Sequence, residues 1–437
     1  MHTDLERRVT RKLMWRIIPF VMLLYFVSFL DRVNVGFAAL TMNADLGLTP
    51  TAFGFGGGLF FIGYFLFEVP SNLILSKVGA RIWIARVMIS WGIVSAAAAL
   101  VTGPASFYSV RFLLGVAEAG FFPGIIYYLA QWFPTRQRAV AAAWFMAAAP
   151  ISTAIGSPMS GAIMQLPSVF GLRDWQMLYV IEAVPAVILG FVVLRALTDK
   201  PADARWLADD ERDWLIAKLK SEAEARHARV GHTIGPIAAL RDMRVLALAL
   251  IYFGTSAGLY TLGLWAPLII RQYGFDALQT GLLNAIPSVL AVVAMILWAR
   301  HSDRSGERTW HVVIPCALAC VGFVFAGGAS TIVGVIAALV IVNIGISAAK
   351  APLWAMPSLF LSGSGAAAGI AMINSIGNLG GFVGPFAIGW LKGVTGSYAA
   401  GLYVVGASLA LSAVLTVVLS RQSAARGEAG NAVSEGR

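Results

Sequence analysis

The sequence predicts an all-α membrane protein of twelve transmembrane helices arranged as two six-helix bundles. Of its 437 residues, 58% are hydrophobic and only 12% are charged. Soluble domains carry about 25% charged residues, so a soluble fold could not hide this much apolar surface. Apolar stretches of about 20 residues, the length that crosses a bilayer, recur along the chain. One long polar segment divides these stretches into two groups of six, which suggests a duplication.

The individual spans follow from the apolar stretches. The first stretch is not a cleaved signal peptide, because it is too long, lacks a small-residue cleavage site and contains Asp31 and Arg32. The expected spans are 16–38, 52–75, 82–103, 106–132, 139–166, 176–197, 244–271, 278–299, 310–329, 332–358, 366–391 and 398–420.

The basic residues that give the formal charge of +10 are distributed unevenly between the loops, and this distribution predicts the topology. With both termini in the cytoplasm, the outer loops contain only Arg173, Arg271 and Lys392 among the basic residues. This asymmetry is the positive-inside rule, so we expect a multi-pass protein of the inner membrane and no nucleic-acid partner.

The polar segment gives the domain organisation. We expect an N-terminal bundle over residues 1–197, a cytoplasmic linker over 198–243 and a C-terminal bundle over 244–437. The linker is highly charged and partly helical in its pattern, and we expect most of it to be a solvated tether with an amphipathic surface helix.

Enzymatic and metal chemistry find no support in the sequence. Cys316 and Cys320 lie one helical turn apart in an apolar span, where small packing residues are the plain interpretation. The five His lie in polar flanks or at a span's edge, so we expect no metal site and no cofactor. No Ser/His/Asp set, Cys/His pair or phosphate loop is apparent.

Charged residues inside the predicted spans carry the strongest functional signal. Each would cost roughly 2.5–3.5 kcal/mol at a helix centre facing lipid, so all must face protein or water and are pathway candidates. They are Asp31, Arg32, Glu68, Arg111, Glu118, Glu182 and Lys350.

Four of these residues are expected to meet in one cavity. Arg111 and Glu118 are seven residues apart and share a helix face, about 10.5 Å apart along the axis, which is too far for a direct pair. Arginine presents a planar fork that matches a carboxylate, so Arg32 and Arg111 suit substrate binding. Glu118, and Asp31 as a second group, suit proton binding. The alternative is that Asp31–Arg111 or Arg32–Glu118 are static bridges between helices.

Other polar residues leave two interpretations open. Lys350 either adds positive charge to the cavity or forms a structural pair. Asn374 and Asn378 share a face of span eleven and either bind substrate hydroxyls or join helices. Glu68 is expected to be a structural partner or gate residue, and Glu182 to satisfy neighbouring helices or loops.

Two cytoplasmic loops carry a shared pattern. The loop after span two reads SNLILSKVGAR (71–81), and the loop after span eight reads WARHSDRSGER (298–308). Both resemble the Gly-x-x-x-Asp-Arg-x-Gly-Arg signature of the major facilitator superfamily. The second copy retains Asp303 and Arg304, to which the resemblance assigns a gating role, whereas the first has Ser76 in place of the acid.

Four further motifs are similar to the anion:cation symporter branch of that superfamily. They are FLDRVN (29–34), YFLFEVPSN (64–72), RFLLGVAEAGFFPG (111–124) and NSIGNLGGFVGP (374–385). These motif sequences are most similar to those of bacterial permeases for tartrate, phthalate and hydroxyphenylacetate. The resemblance implies the major facilitator fold, proton coupling through the motif acids, carboxylate binding by the motif arginines and a substrate hydrogen bond from Tyr64.

The expected function is therefore the proton-coupled import of a small organic carboxylate, aromatic or hydroxylated, by alternating access. We expect a monomer whose partners are the substrate anion, protons and the lipid bilayer. The alternative is a drug or metabolite efflux antiporter on the same fold. That class would use a wide apolar pocket and fewer fixed cations, so the arginines favour the anion carrier.

Overall fold

The protein is almost entirely helical. The computed structural model describes residues 2–228, 241–359 and 363–435. Within these ranges there is no β-strand, and twelve helical segments are long and apolar enough to cross a membrane. The predicted all-α membrane fold with twelve spans is thus confirmed.

Seven helices precede the central linker, and an eighth lies inside it. They are α1 (His2–Asp45), α2 (Pro50–Val78), α3 (Ala80–Ala97), α4 (Pro104–Glu118), α5 (Phe121–Trp132), α6 (Thr135–Ile163), α7 (Asp174–Ala196) and α8 (Asp209–Ala228). Helices α4 and α5 together make the fourth span, Pro104–Trp132.

Seven helices follow the linker. They are α9 (Met243–Arg271), α10 (Ala277–Ser305), α11 (Thr309–Gly328), α12 (Ile332–Ala355), α13 (Gly363–Asn378), α14 (Gly380–Thr395) and α15 (Ala399–Glu435). Helices α13 and α14 together make the eleventh span, Gly369–Thr395.

The described residues form two compact units. The first contains the chain up to Leu48, the residues from Gly56 through α8, and the segment Gly274–Ala285. The second contains Thr49–Phe55, α9 and the chain from Ile286 onward. The first turn of α2 therefore belongs to the second unit, and the rest of α2 to the first. The first turns of α10 belong to the first unit, and the rest of α10 to the second.

The two units repeat one packing scheme. In the first, α1 packs on α6 and α7, and α3 packs on α7 and on α4. In the second, α9 packs on α13, α14 and α15, and α11 packs on α15 and on α12. Each of these contacts of the first unit has its counterpart six spans later, as expected of a duplicated bundle.

The described part of the linker is docked rather than free. Leu207 and Leu215 are fully buried, and the Trp206 ring stacks on Trp132 of α5 at a centroid distance of 5.5 Å. Apolar residues between the charged residues of 205–216 therefore pack on the first unit, so this part of the linker is an amphipathic segment on the surface of that unit and not a free tether.

Ion pairs fasten the start of α8 to α1. The Glu211 carboxylate lies 2.8 Å from Arg8 Nε and 2.7 Å from Lys12 Nζ, and the backbone N–H of Ala208 donates to it over 3.1 Å. Burial raises the pKa of Glu211, but the Lys12 and Ala208 hydrogen bonds and the charges of Lys12 and Arg8 outweigh it, so the pKa lies below its ordinary value.

Candidate functional site

A break in the fourth span places Glu118. Helix α4 ends at Glu118, and Gly120 adopts a left-handed conformation with φ 87° before α5 begins. Pro123 has no N–H to donate to the carbonyl of Ala119, four residues earlier. Ser71 Oγ of α2 donates to that carbonyl instead, over 2.6 Å. The Gly120–Pro123 sequence thus bends the span directly after the buried acid.

Glu118 forms a buried ion pair with Arg32. Arg32 Nη2 lies 2.5 Å and Arg32 Nε 2.8 Å from Glu118 Oε1, and Ser28 Oγ donates to the same oxygen over 2.8 Å. The Arg32 side chain is 10% exposed and that of Glu118 is 1% exposed. Of the two interhelical bridges that the sequence left open, this one forms.

Asp31 is held by neutral donors. Trp91 Nε1 donates to Oδ2 over 2.6 Å, while Ser95 Oγ and Asn34 Nδ2 donate to Oδ1 over 2.9 and 3.1 Å. Trp91 and Ser95 are four residues apart on α3, so both face α1. No Asp31–Arg111 ion pair occurs in the described chain, so the alternative of a static bridge between these two residues is wrong.

Arg111 is buried with few partners. Its Nη2 donates to the carbonyl of Gly57 over 3.2 Å, and its Nε has no hydrogen-bond partner within the described residues. The guanidinium lies 5.3 Å from the centre of the Phe60 ring. Arg32 lies at the same distance from that ring, so Phe60 contacts both cations of the cluster.

Tyr64 belongs to the same cluster. Its ring is buried and lies 5.5 Å from the Arg32 guanidinium, tilted against Phe60. The close approach of α2 and α4 requires two glycines. A Cβ at Gly115 would lie 1.9 Å from the Phe60 carbonyl oxygen, and one at Gly63 would lie 2.4 Å from that of Phe112.

The structure thus brings five predicted residues into one polar cluster of the first unit. They are Asp31, Arg32, Tyr64, Arg111 and Glu118. Glu68 is also buried, but it lies one turn beyond Tyr64 toward the C-terminal end of α2.

The remaining predicted ligands belong to the second unit. Lys350 on α12 is half-buried. Asn374 and Asn378 near the end of α13 are both buried, on a helix that packs against α9. Like Glu118, Asn378 is the last residue of its helix before the span is interrupted, and Asn374 lies one turn earlier.

The signature loops are built differently in the two units. In the second, Asp303 pairs with Arg308 within the loop at 2.8 Å and is 71% exposed. In the first, where the signature acid is missing, Asp199 after α7 accepts from the backbone N–H of Arg81 over 2.8 Å and lies 3.5 Å from its guanidinium. The acid is therefore supplied from a different part of the chain. Gly79 and Gly306 both turn the loops at positive φ.

The neutral members of the cluster were not predicted from the sequence. The two acids accept hydrogen bonds from Ser28, Trp91 and Ser95, and the backbone carbonyl at the break accepts one from Ser71. None of these four side chains is charged, so none of them stands out within an apolar span. The four-residue spacing of Trp91 and Ser95, two donors on one face of an apolar helix, is the signal that would have pointed to them.

Twelve membrane spans in two units of like packing, with the Arg32–Glu118 ion pair buried inside the spans, define the class of polytopic membrane transporters. The chain belongs to the Major Facilitator Superfamily, whose family profile matches residues 21–385. The resemblance drawn from the motifs is thereby confirmed.

Known relatives cover nearly the whole chain. A protein of Agrobacterium vitis, provisionally named as a tartrate transporter, is 64% identical over 98% of both chains. A quinolone resistance transporter of Acinetobacter baumannii is 43% identical over 95% of this chain and 96% of its own. The crystal structure of a bacterial homologue of the human lysosomal transporter Spinster matches with a TM-score of 0.74 at 15% identity, covering 94% of this chain and 97% of that one. This last likeness concerns the fold alone.

Proposed function

We propose that the protein is a proton-coupled symporter that imports a small organic carboxylate by alternating access, with tartrate as the first substrate to test. The observation that carries this proposal is the buried Arg111, which has no carboxylate partner among the described residues and lies beside the Arg32–Glu118 ion pair. The provisional name of the 64% identical relative supports the substrate class.

Arg111 is the proposed anchor for the substrate. An arginine inside a membrane protein is costly unless an anion or several acceptors compensate it. Among the described residues its guanidinium contacts one carbonyl and one aromatic face, whereas a carboxylate would offer two oxygens to the guanidinium fork. Tyr64 is a proposed hydrogen-bond donor to the substrate, and Lys350, Asn374 and Asn378 are further proposed substrate ligands.

Glu118 is the proposed principal proton carrier. While it is ionised, it occupies the guanidinium of Arg32. Protonation removes its charge and weakens that pair, so Arg32 becomes available to the substrate carboxylate. Binding of the anion and protonation of Glu118 therefore favour each other, which is the requirement for symport.

Charge balance supports two protons for a dicarboxylate. With both acids ionised, the cluster of Asp31, Arg32, Arg111 and Glu118 is neutral. A dianion adds two negative charges, and protonation of Glu118 and Asp31 removes two. The loaded and empty forms then carry the same net charge, which avoids moving an unbalanced charge through the bilayer.

Reconstituted protein tests this proposal. We expect a pH gradient, alkaline inside, to drive tartrate accumulation into vesicles containing the wild-type protein. Glu118→Gln should abolish this accumulation but retain counterflow exchange, whereas the exposed Glu224→Gln should behave as wild type. Proton-driven accumulation by Glu118→Gln at the wild-type level would remove Glu118 from this role.

The second candidate function is export of drugs or metabolites in exchange for protons, favoured by the 43% identical quinolone resistance transporter. A ligand that binds only the folded protein raises its melting temperature. We expect tartrate or another organic acid to stabilise the purified protein and a quinolone to have no effect. The reverse result would favour the exporter.

Location and organisation are part of the proposal. We place the protein in the inner membrane as a monomer, with both termini in the cytoplasm and bundles over residues 1–197 and 244–437. The excess of Lys and Arg in the inner loops supports this orientation. A fluorescent protein fused to the C-terminus should fluoresce, whereas alkaline phosphatase fused there should be inactive.

Asp303 and Arg304 are proposed gating residues.

A further inference from the structure

A basic cleft opens in the first unit, at the end of the bundle where the chain begins. It lies between α1 and α6, which pack on each other, and has a volume of about 450 Å³. Arg7 and Arg11 line it from α1, and Arg136 lines it from α6. None of the three forms an ion pair with a described residue, whereas their neighbours Arg8 and Lys12 both pair with the linker. The cleft therefore gathers cations that the described chain does not pair.

The other lining residues leave the cleft positively charged. Among the described residues around it, Glu6 is the one acid, and it accepts a hydrogen bond from Gln137 Nε2 over 3.2 Å. Three guanidinium groups and one carboxylate leave two positive charges in excess. Guanidinium groups bind phosphate through paired hydrogen bonds and are more weakly hydrated than ammonium groups. The cleft is therefore suited to a phosphate-bearing anion.

Two exposed tryptophans show where this cleft lies relative to the bilayer. The first and fifth spans, α1 and α6, run in the same direction, and the Glu6–Gln137 hydrogen bond aligns them. Trp15 follows Glu6 by nine residues and Trp144 follows Gln137 by seven, so the two rings lie about 13.5 and 10.5 Å along the helix axes from that bond. They are 77% and 51% exposed. Because tryptophan is enriched at the membrane–water interface, this shared depth places the cleft at the edge of the headgroup region.

Exposed apolar side chains continue from the arginines toward the bilayer. On α1, Trp15 lies one turn after Arg11. On α6, Val140 lies one turn after Arg136, and Trp144 one turn after Val140, and both are exposed. Residues four apart are neighbours on a helix surface, so each helix leads from a cation to an apolar surface without a break. A molecule that covered both would be anionic at one end and apolar over the rest.

We propose that the cleft between α1 and α6 binds an anionic phospholipid. The three arginines bind its phosphate, and its acyl chains lie along the exposed apolar side chains one and two turns further into the bilayer. Basic pockets between membrane helices are suited to acidic lipid headgroups. A zwitterionic lipid fits less well, because its ammonium group would meet the excess positive charge. The bound lipid joins the start of α6 to the start of α1, and the site requires neither the transported substrate nor a proton.

Native mass spectrometry of the full-length protein in detergent tests the site. The probes are dioleoylphosphatidylglycerol, which is anionic, and dioleoylphosphatidylcholine, which is zwitterionic and has the same acyl chains. We expect the wild type to bind the anionic lipid more tightly. The combined variant Arg7→Gln, Arg11→Gln and Arg136→Gln should bind it roughly 100-fold more weakly and bind the zwitterionic lipid unchanged. Wild-type affinity for the anionic lipid in this variant would overturn the proposal.

A matched control removes three cations elsewhere. Arg195, Arg300 and Arg421 are exposed residues of α7, α10 and α15. The combined variant Arg195→Gln, Arg300→Gln and Arg421→Gln should keep the wild-type preference for the anionic lipid. An equal loss of affinity in this control would show that the lipid responds to total charge, and the cleft would no longer be a site.

A second pair of variants separates a lipid from a free phosphate and does not depend on the arginine variant folding. Trp15→Ala combined with Trp144→Ala should weaken binding of dioleoylphosphatidylglycerol. Trp310→Ala combined with Trp390→Ala, which removes two exposed rings of the second unit, should not. Unchanged affinity in the first pair, or displacement of the lipid by an equal concentration of glycerol phosphate, would overturn the assignment to a phospholipid.

Discussion

Arg32 Nη2 and Glu118 Oε1 lie 2.5 Å apart in a part of the first unit where both side chains are almost completely buried. Ser28 adds a hydrogen bond to the same carboxylate oxygen. A buried pair of this kind adds little net stability as a whole, but the loss of one partner leaves an uncompensated charge.

We therefore expect Glu118→Ala to destabilise the protein by about 3–5 kcal/mol, because Arg32 would remain charged and buried. Arg32→Met combined with Glu118→Leu should recover most of this loss, since both charges are then absent. Thermal melting in detergent measures both variants. A double variant less stable than Glu118→Ala would contradict the uncompensated-charge explanation.

Arg111→Lys tests the anchor for the carboxylate. Lysine keeps the positive charge but loses the planar fork. Loss of one charge-assisted hydrogen bond, worth about 1.5–3 kcal/mol, should weaken equilibrium binding of tartrate by about 10- to 100-fold. Titration calorimetry measures the affinity, with the exposed Arg421→Lys as the control. Equal affinities in the two variants would rule out bidentate binding by Arg111.

Ser71→Ala tests the break in the fourth span. The Ala119 carbonyl would lose its donor, and a buried acceptor without a donor costs about 1–3 kcal/mol. Ser76→Ala, which removes an exposed hydroxyl on the same helix, should leave the melting temperature unchanged. If both variants melt like the wild type, the carbonyl does not depend on Ser71.

Gly115→Ala tests the close approach of α2 and α4. The added Cβ would lie 1.9 Å from a backbone oxygen that no side-chain rotation can move, so the helices must separate. We expect a lower melting temperature and loss of transport. Gly263→Ala, also within a helix, meets nothing within 4 Å and should stabilise the protein by about 0.5–1 kcal/mol. Wild-type transport by Gly115→Ala would show that this spacing is not required.

The docking of α8 should depend on pH through Glu211. Its folded pKa is lower than in the unfolded chain, so its stabilising contribution is present above the unfolded pKa of about 4.3. The contribution is lost as the pH falls through the lower folded pKa. Melting temperatures of wild type and Glu211→Gln should therefore differ near pH 7 and converge once the pH has fallen below the folded pKa of Glu211. The exposed Asp213→Asn should follow the wild type, and a difference that persists in acid would refute the ion-pair contribution.

The sequence predicts the class of fold well because membrane spans are set by length and hydrophobicity, both of which are local properties. It also identifies the buried charges, since each one interrupts an apolar run. Which charges pair is a different matter. Both Asp31–Arg111 and Arg32–Glu118 satisfied the spacing, and only the rotation of α1 against α3 and α4 selects the second.

Two further features lay beyond the sequence pattern. The first-unit signature loop has no acid of its own, and Asp199, more than a hundred residues away, takes that place. The residues on which the linker docks could not be predicted, because its apolar residues are scattered among charges and share a face only after α8 and the preceding turn have folded. Both depend on tertiary contacts that no local window contains.

The hydrogen bond from Ser71 to Ala119 gives the bend beside Glu118 an external support. A bend stabilised by its own backbone would keep its shape whichever way its neighbours moved. Here the supporting hydroxyl, that of Ser71, belongs to another helix. A displacement of α2 from α5 would therefore leave the Ala119 carbonyl, one residue from Glu118, without its hydrogen-bond donor. The shape of the fourth span at Glu118 is consequently tied to the position of the second, and the two must travel together or the bend must change.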